Sequence, residues 1–493
     1  MSDSGGQINR FFKHSTIYAI GNILNRIGAF LLLPIYTNYL SVAEYGALEL
    51  FYATTAVITG LLSVGIAHAT LRFYFNYEKQ EDRNLVVSTN FLMSLIITLT
   101  GTAFIGIWHE EIVRLIFQDS TYSRALVIIL ATLVLELSSQ VCLAYIRAIE
   151  KSTFFILLVL IKLVIQVVAN TFMLVVLHMG VEGVLLGNLI AVGTGWMVLS
   201  YFTVTRCGLH FDKEKSIPVL KYSFPFLLST MTAIVSVNID KFLLSRMISL
   251  EAIGIYGLAM KFGLLIEQLI GEPFNRAYGA FRFSIMNRDD SSEIQASIVR
   301  YLMIGGAFVS LGIVFYVPDL LHIISDEKYW PAINIIPLLV VANLLKLLYY
   351  PFQTGILVEK KTRYIFYTGL AAATTSVLSN VVMIYYFGIL GACISQTIIV
   401  LVLIVTTNII SQRYYKVDYE YRKMFGLLIV TMLFYFASIS LPVYSLILNI
   451  TVKAALLFAY VIVIMSTGIL RKNEKEYMMD WIKRKLLKKI MSQ

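Results

Sequence analysis

Residues 153–177 read TFFILLVLIKLVIQVVANTFMLVVL, an apolar run broken only by Lys162, Gln166, Asn170 and small or hydroxyl residues. As a helix rising about 1.5 Å per residue it is long enough to cross a hydrocarbon core of about 30 Å. Its three larger polar residues fall at i, i+4 and i+8, on a single helix face. The stretch therefore spans a bilayer while holding one polar stripe away from lipid.

Runs of this kind recur from end to end. The chain has 493 residues, 58% hydrophobic and 14% charged, whereas soluble domains carry about 25% charged residues. A soluble fold has too little interior to hide so much apolar surface. The sequence predicts an all-α polytopic membrane protein with about fourteen spans. They are placed near 15–40, 47–70, 85–107, 124–146, 153–177, 183–205, 223–247, 253–278, 299–317, 332–356, 364–386, 389–411, 424–441 and 450–470. The first run has no small-residue cleavage site and reads as an uncleaved span. Cys142, Cys207 and Cys393 lie far apart and read as packing residues, so no metal or redox site is expected.

The loops sort by charge. Of 40 lysines and arginines, 29 fall in alternate loops and the two ends, among them Arg72, Arg147, Arg282, Lys360 and Lys361. The opposite loops hold only Arg114, Arg124 and Lys328. Basic loops stay in the cytoplasm, so both termini are expected there, in a bacterial inner membrane. The net charge of +10 then reflects loops beside anionic lipid rather than a nucleic-acid partner. Met478, Ile482, Leu486 and Ile490 are spaced four apart among lysines in the tail. They predict an amphipathic helix over 471–493 lying on the membrane, with a solvated basic tail as the alternative.

Two halves echo each other. Leu40-Ser41 with Gly46 returns as Ile248-Ser249 with Gly254. Arg72 returns as Arg282, Glu150-Lys151 as Glu359-Lys360, and Gly180 with Gly183 as Gly388 with Gly391. The offset is 208 to 210 throughout. Six spans separate the copies, so they share one orientation, which predicts two parallel-repeat lobes around a central cavity. The expected organisation is a cytoplasmic segment 1–14, an N-lobe 15–205, a linker 206–222 and a C-lobe 223–411. Two further spans over 424–470 and the tail 471–493 complete it.

Eight basic residues lie inside spans: Arg26, Lys162, Lys241, Arg246, Lys261, Arg276, Lys346 and Lys453. Five acids accompany them: Glu49, Glu136, Asp240, Glu267 and Glu272. A lysine or arginine at a span's centre costs about 2.5–3.5 kcal/mol, so most must face a wet interior. Polar stripes agree, with Asn22, Asn25 and Arg26 on the first span and Asn343, Lys346 and Tyr350 on the tenth. Interhelical glue is the alternative, but glue alone tends to balance its charges, and this interior is net positive. The anion-binding candidates are Arg26, Lys162, Lys241, Lys261 and Lys346, with Asn25 and the repeat-matched Arg72 and Arg282. Asp240, Glu272 and Glu136 are candidates for ion coupling.

Asn22-Ile-Leu-Asn-Arg26-Ile-Gly28, Leu31-Leu-Leu-Pro34, Tyr45-Gly46, Ala69-Thr-Leu-Arg72-Phe-Tyr74 and Lys221-Tyr-Ser-Phe-Pro225 resemble the polysaccharide flippases of the MOP exporter superfamily. Asp240-Lys241 stands where that family usually has Asp-Arg, and Gly254-Ile-Tyr256 follows. The resemblance implies a fold like that of the MATE transporters. It also implies transport of an O-antigen, capsule or teichoic-type repeat unit on undecaprenyl diphosphate, moved between leaflets by alternating access. It implies no cofactor. Its partners are the lipid-linked glycan and membrane lipid, with a polysaccharide polymerase as a further candidate. Arg26 resembles an arginine of the related lipid II flippases. A drug antiporter of the superfamily is the first rival, but its cavity favours carboxylates. A membrane polymerase or ligase is the second, and the outer loops near 108–123 and 318–331 are too short for a catalytic domain. No GxxxxGK[ST] run is present, so drive does not come from a P-loop ATPase in this chain.

Overall fold

The computed structural model describes residue 28, residues 30–440 and residues 446–469, without the side chains of 225, 226, 228, 229, 233 and 446. Most of the first predicted span and the whole predicted tail helix lie outside these residues. The described chain is helical throughout. Its helices are α1 (Leu33–Tyr39), α2 (Val42–Leu62), α3 (Ile66–Tyr74), α4 (Gln80–Ile107), α5 (His109–Phe117), α6 (Ser123–Ala148), α7 (Ser152–Thr171) and α8 (Gly180–Cys207). Next come α9 (Lys213–Met247), α10 (Leu250–Gly263), α11 (Glu272–Ile285), α12 (Ser291–Ile324), α13 (Ile336–Lys346), α14 (Tyr349–Phe352) and α15 (Thr354–Val358). The last three are α16 (Arg363–Tyr414), α17 (Tyr421–Ile439) and α18 (Leu446–Ser466).

Eleven helical segments among the described residues are long and apolar enough to cross a membrane. One of them, the 52-residue α16, contains two predicted spans and turns at Gly388, whose φ of 57° and ψ of −131° suit glycine alone. The predicted second span differs. Its helix stops at Leu62 and restarts as α3 at Ile66, across a left-handed Val64-Gly65 pair. In a loop expected outside, 109–117 forms α5 rather than plain loop, and the expected linker 206–222 is already helical from Lys213. Hydrophobic length marks the apolar core of a helix, but polar turns extend it into the headgroup layer, which explains most of the boundary differences.

Two compact units emerge. One comprises the described residues of Met1–Gly257 with Ile324–Tyr329 and Ser376–Ala392; the other those of Leu258–Ile323, Trp330–Thr375 and Cys393–Gln493. In the first unit the starts of α2 and α10 are built alike. Ser41 Oγ caps α2 by accepting from Glu44 N at 3.2 Å, and Ser249 Oγ caps α10 by accepting from Ala252 N at 3.2 Å. The two starts also touch reciprocally. A Cβ on Gly46 would lie 1.8 Å from Leu250 O, and one on Gly254 would lie 2.3 Å from Val42 O. Residue 250 is the repeat mate of 42, so each copy offers the other the same surface, as across a local two-fold axis. Backbone turns recur nearby as well: Glu150 adopts left-handed φ, as does Lys360, one residue past its mate Glu359, and Gly180 and Gly388 both do so at matched positions.

Candidate functional site

In the first unit α6, α7 and α8 enclose a cavity of about 360 Å³. Periodicity explains its lining. Glu136, Gln140 and Arg147 fall on one face of α6, Phe155, Val159 and Lys162 on one face of α7, and Trp196 comes from α8. Arg147 stands eleven residues beyond Glu136, about 16 Å along the helix at 1.5 Å per residue. The cavity therefore runs from the end of α6 that carries a basic loop to a floor holding Glu136 and Lys162. Neither of those two has a hydrogen-bond or ion-pair partner among the described residues.

The polar stripe of α7 divides in function. Asn170 is buried and donates to Tyr36 Oη at 2.6 Å and Asn188 Oδ1 at 3.1 Å, while Gln166 donates to the same Asn188 Oδ1 at 2.9 Å. These amides are interhelical glue. Lys162 alone of the three opens into the cavity. Trp196 is oriented by donating its indole N–H to Ser138 Oγ at 2.9 Å.

Lys241 lies elsewhere in the unit and does not line this cavity. Its ammonium meets Glu49 Oε2 at 2.8 Å, with the two side chains 14% and 5% exposed. That pair crosses from α9 to α2, as interhelical glue does. Asp240 is buried and accepts from Tyr256 Oη at 2.5 Å and from the backbone N–H of Lys241 at 2.8 Å. Arg72 closes α3 in the open, its guanidinium 4.4 Å from the centre of the Tyr222 ring.

The second unit holds Lys261 in the last turn of α10 and Lys346 in the last turn of α13, both half-buried. The two helices pack together, since a Cβ on Gly263 would lie 3.1 Å from Leu339 Cβ. Lys346 has no hydrogen-bond or ion-pair partner among the described residues. Glu267 is bonded by Tyr350 Oη, and Glu272 faces Arg276 at 3.5 Å along α11. Lys453 meets Asp319 Oδ2 at 2.5 Å. Arg282 is buried, its guanidinium 5.0 Å from the Tyr278 ring centre. Arg26 and Asn25 lie outside the described residues. Among the described residues no cluster of His, Cys, Asp and Glu could hold a metal ion.

Sequence reasoning did not single out Arg147, Gln140 or Trp196 as cavity residues. Arg147 was assigned to a cytoplasmic loop by its position at a span end. Its spacing of seven from Gln140 and eleven from Glu136 along one helix face was the available signal.

Among solved structures, the lipid II flippase MurJ in an inward closed conformation matches with a TM-score of 0.73 at 12% identity, covering 91% of this chain and 98% of that one. An inward-facing multidrug resistance MATE family transporter of the MOP superfamily matches at 0.61 and 13% identity, covering 82% and 95%. Such likeness is one of fold. Lsg locus putative protein 1 of Haemophilus influenzae is 30% identical over 102 residues, 21% of this chain. That stretch spans only 25% of the Haemophilus protein. Residues 11–278, more than half of the chain, match the family described as polysaccharide biosynthesis protein. With the MOP-superfamily fold and the residue-level resemblance in agreement, the chain belongs to the polysaccharide biosynthesis protein family.

Proposed function

We propose that this protein is a flippase carrying a sugar unit linked to undecaprenyl diphosphate from the cytoplasmic to the outer leaflet of a bacterial inner membrane. It does so by alternating access, moving its substrate without changing it chemically. Both termini lie in the cytoplasm, and the two parallel six-helix repeats move about a central path. The reciprocal contact of Gly46 and Gly254 supports the repeat. One observation carries the reading: Lys162, half-buried in a membrane helix, has no ion-pair partner among the described residues and opens into a polar cavity that it shares with Arg147 and Glu136. An unpaired ammonium at that depth is retained where an anion or water meets it. Lys346, half-buried in the second unit, likewise has no ion-pair partner among the described residues. Arg26, Asn25 and Lys261 complete the proposed anion path, and a polymerase of the same glycan is its partner downstream.

Glu136 in the same cavity favours a second reading, an antiporter for organic cations, because a carboxylate is what such a ligand needs. One experiment separates the two. At matched expression, Lys162→Ala together with Arg26→Ala is expected to abolish surface glycan, while Lys162→Arg retains most of it. Glu136→Gln is expected to leave surface glycan largely intact. Wild-type glycan in the double variant overturns the flippase mechanism. Loss of drug resistance in Glu136→Gln, with glycan unchanged in every variant, supports the antiporter.

A further inference from the structure

Among the described residues of the second unit two arginines are buried, and the fold treats them differently. Arg300, 1% exposed, is paired with Glu420. Arg282, 4% exposed, meets no acid among the described residues. Its Nε and Nη1 are buried without a hydrogen-bond partner, and among the described residues the side chain makes no ion pair. Its contacts are faces of aromatic rings, Tyr278 at 5.0 Å and Phe283 at 6.0 Å. The ionisable groups that act on it are the tyrosines Tyr278 and Tyr419.

The polar groups around it are engaged with one another. Tyr278 Oη donates to Gln295 Oε1 at 3.2 Å and shares a bond with Thr354 Oγ1 at 3.1 Å. Gln295 Nε2 donates to Ser291 Oγ at 3.0 Å, and Tyr415 Oη to the same Ser291 Oγ at 2.7 Å. Tyr419 Oη is taken by Pro351 O at 3.3 Å. This lattice ties the end of α11 to the start of α12, to α14 and α15, and to the segment after α16. It is a rigid, neutral, hydrogen-bonded wall around one cation.

A buried cation without a counter-charge is strongly unfavourable, and lone buried N–H donors add to that. Guanidinium offers a planar fork of donors that matches an oxyanion of phosphate type. We propose that Arg282 and its tyrosine wall form a binding site for a phosphate-type oxyanion, presented by the headgroup of an anionic phospholipid or by free phosphate. The loops that meet there carry Arg288, Lys360, Lys361 and Arg413, on the face expected to be cytoplasmic, where both sources are present. The site lies in the second unit, apart from the Lys162 cavity of the first, and it does not depend on the transport reading.

The test uses the full-length protein in zwitterionic detergent and reads thermal unfolding against added ligand. The probes are phosphatidylglycerol, phosphatidylcholine and inorganic phosphate. Wild type is expected to be stabilised by phosphatidylglycerol and not by phosphatidylcholine. A matching response to inorganic phosphate identifies the free ion as sufficient; its absence identifies the lipid. Arg282→Gln is expected to weaken the apparent affinity at least about tenfold, the loss of one charge-assisted interaction. Arg282→Lys is expected to lie between, and Arg288→Gln, an exposed partner of Asp290, to match wild type. A wild type indifferent to all three probes overturns the site, and so does Arg282→Gln responding like wild type. If Arg282→Gln fails to fold, the decision rests on Arg282→Lys, whose undiminished affinity for both anions equally overturns it.

Discussion

At the scale of single residues, the embedded charges fall into two physical classes. Lys241 and Glu49 are a desolvated pair 2.8 Å apart. Breaking one partner of such a pair leaves the other charge buried alone, while replacing both with apolar groups of similar volume removes the burden altogether. Lys241→Met is therefore expected to destabilise the protein by about 3–5 kcal/mol. Lys241→Met combined with Glu49→Leu should recover most of that loss. Unfolding of the purified variants in micelles measures both, and additive losses in the double variant refute the pairing. Lys162 belongs to the other class. With no partner to abandon among the described residues, Lys162→Met should leave stability unchanged or raised, and any defect should appear in transport alone. The same unfolding measurement decides this: a loss comparable to that of Lys241→Met would mean that Lys162 is structural.

At the scale of helices, backbone proximity dominates. α2 and α10 approach so closely that a methyl group on Gly46 would sit 1.8 Å from a carbonyl oxygen. Backbone cannot yield as a flexible side-chain tip does, so the helices must separate. Gly46→Ala and Gly254→Ala are each expected to cost about 1–3 kcal/mol or more, as overpacking does. Gly312→Ala, where a Cβ meets nothing within 4 Å, is the neutral control. Near-wild-type melting of both alanine variants would contradict the reciprocal contact. Local two-fold relations of this kind arise when duplicated segments keep their caps. Ser41 and Ser249 still cap equivalent turns, and the Gly46 and Gly254 sites still face each other.

At the scale of the whole molecule, orientation follows from the charge of the loops. Reporter fusions after Asp119 and Asp326 are expected outside, and fusions after Lys79 and Lys361 in the cytoplasm. Reversal at two or more of these sites would refute the positive-inside assignment. The helix α5 and the last turns of α12, up to Ile324, occupy much of the loops expected outside. They add ordered length there but no catalytic domain among the described residues.

The one-dimensional features of this protein were legible without coordinates. Apolar length places a span wherever about 20 residues avoid charge, so the division of α16 near residue 388 and the positions of most helices follow from composition and glycine. The repeat was visible because caps and tight turns need particular residues at particular spacings, as at Ser41, Ser249, Gly180 and Gly388. Partnership among the embedded charges was not legible. Lys162 and Lys241 look equivalent in sequence, each a lysine in an apolar helix with polar neighbours at helical spacing. Only the packing of α9 against α2 brings Glu49, 192 residues away, to Lys241. Only the packing of α8 against α7 gives Asn188 to Gln166 and Asn170 and leaves Lys162 to the cavity. Helix periodicity states which face a residue occupies, but which helix meets that face is settled in three dimensions, by the shapes and close approaches of the whole bundle.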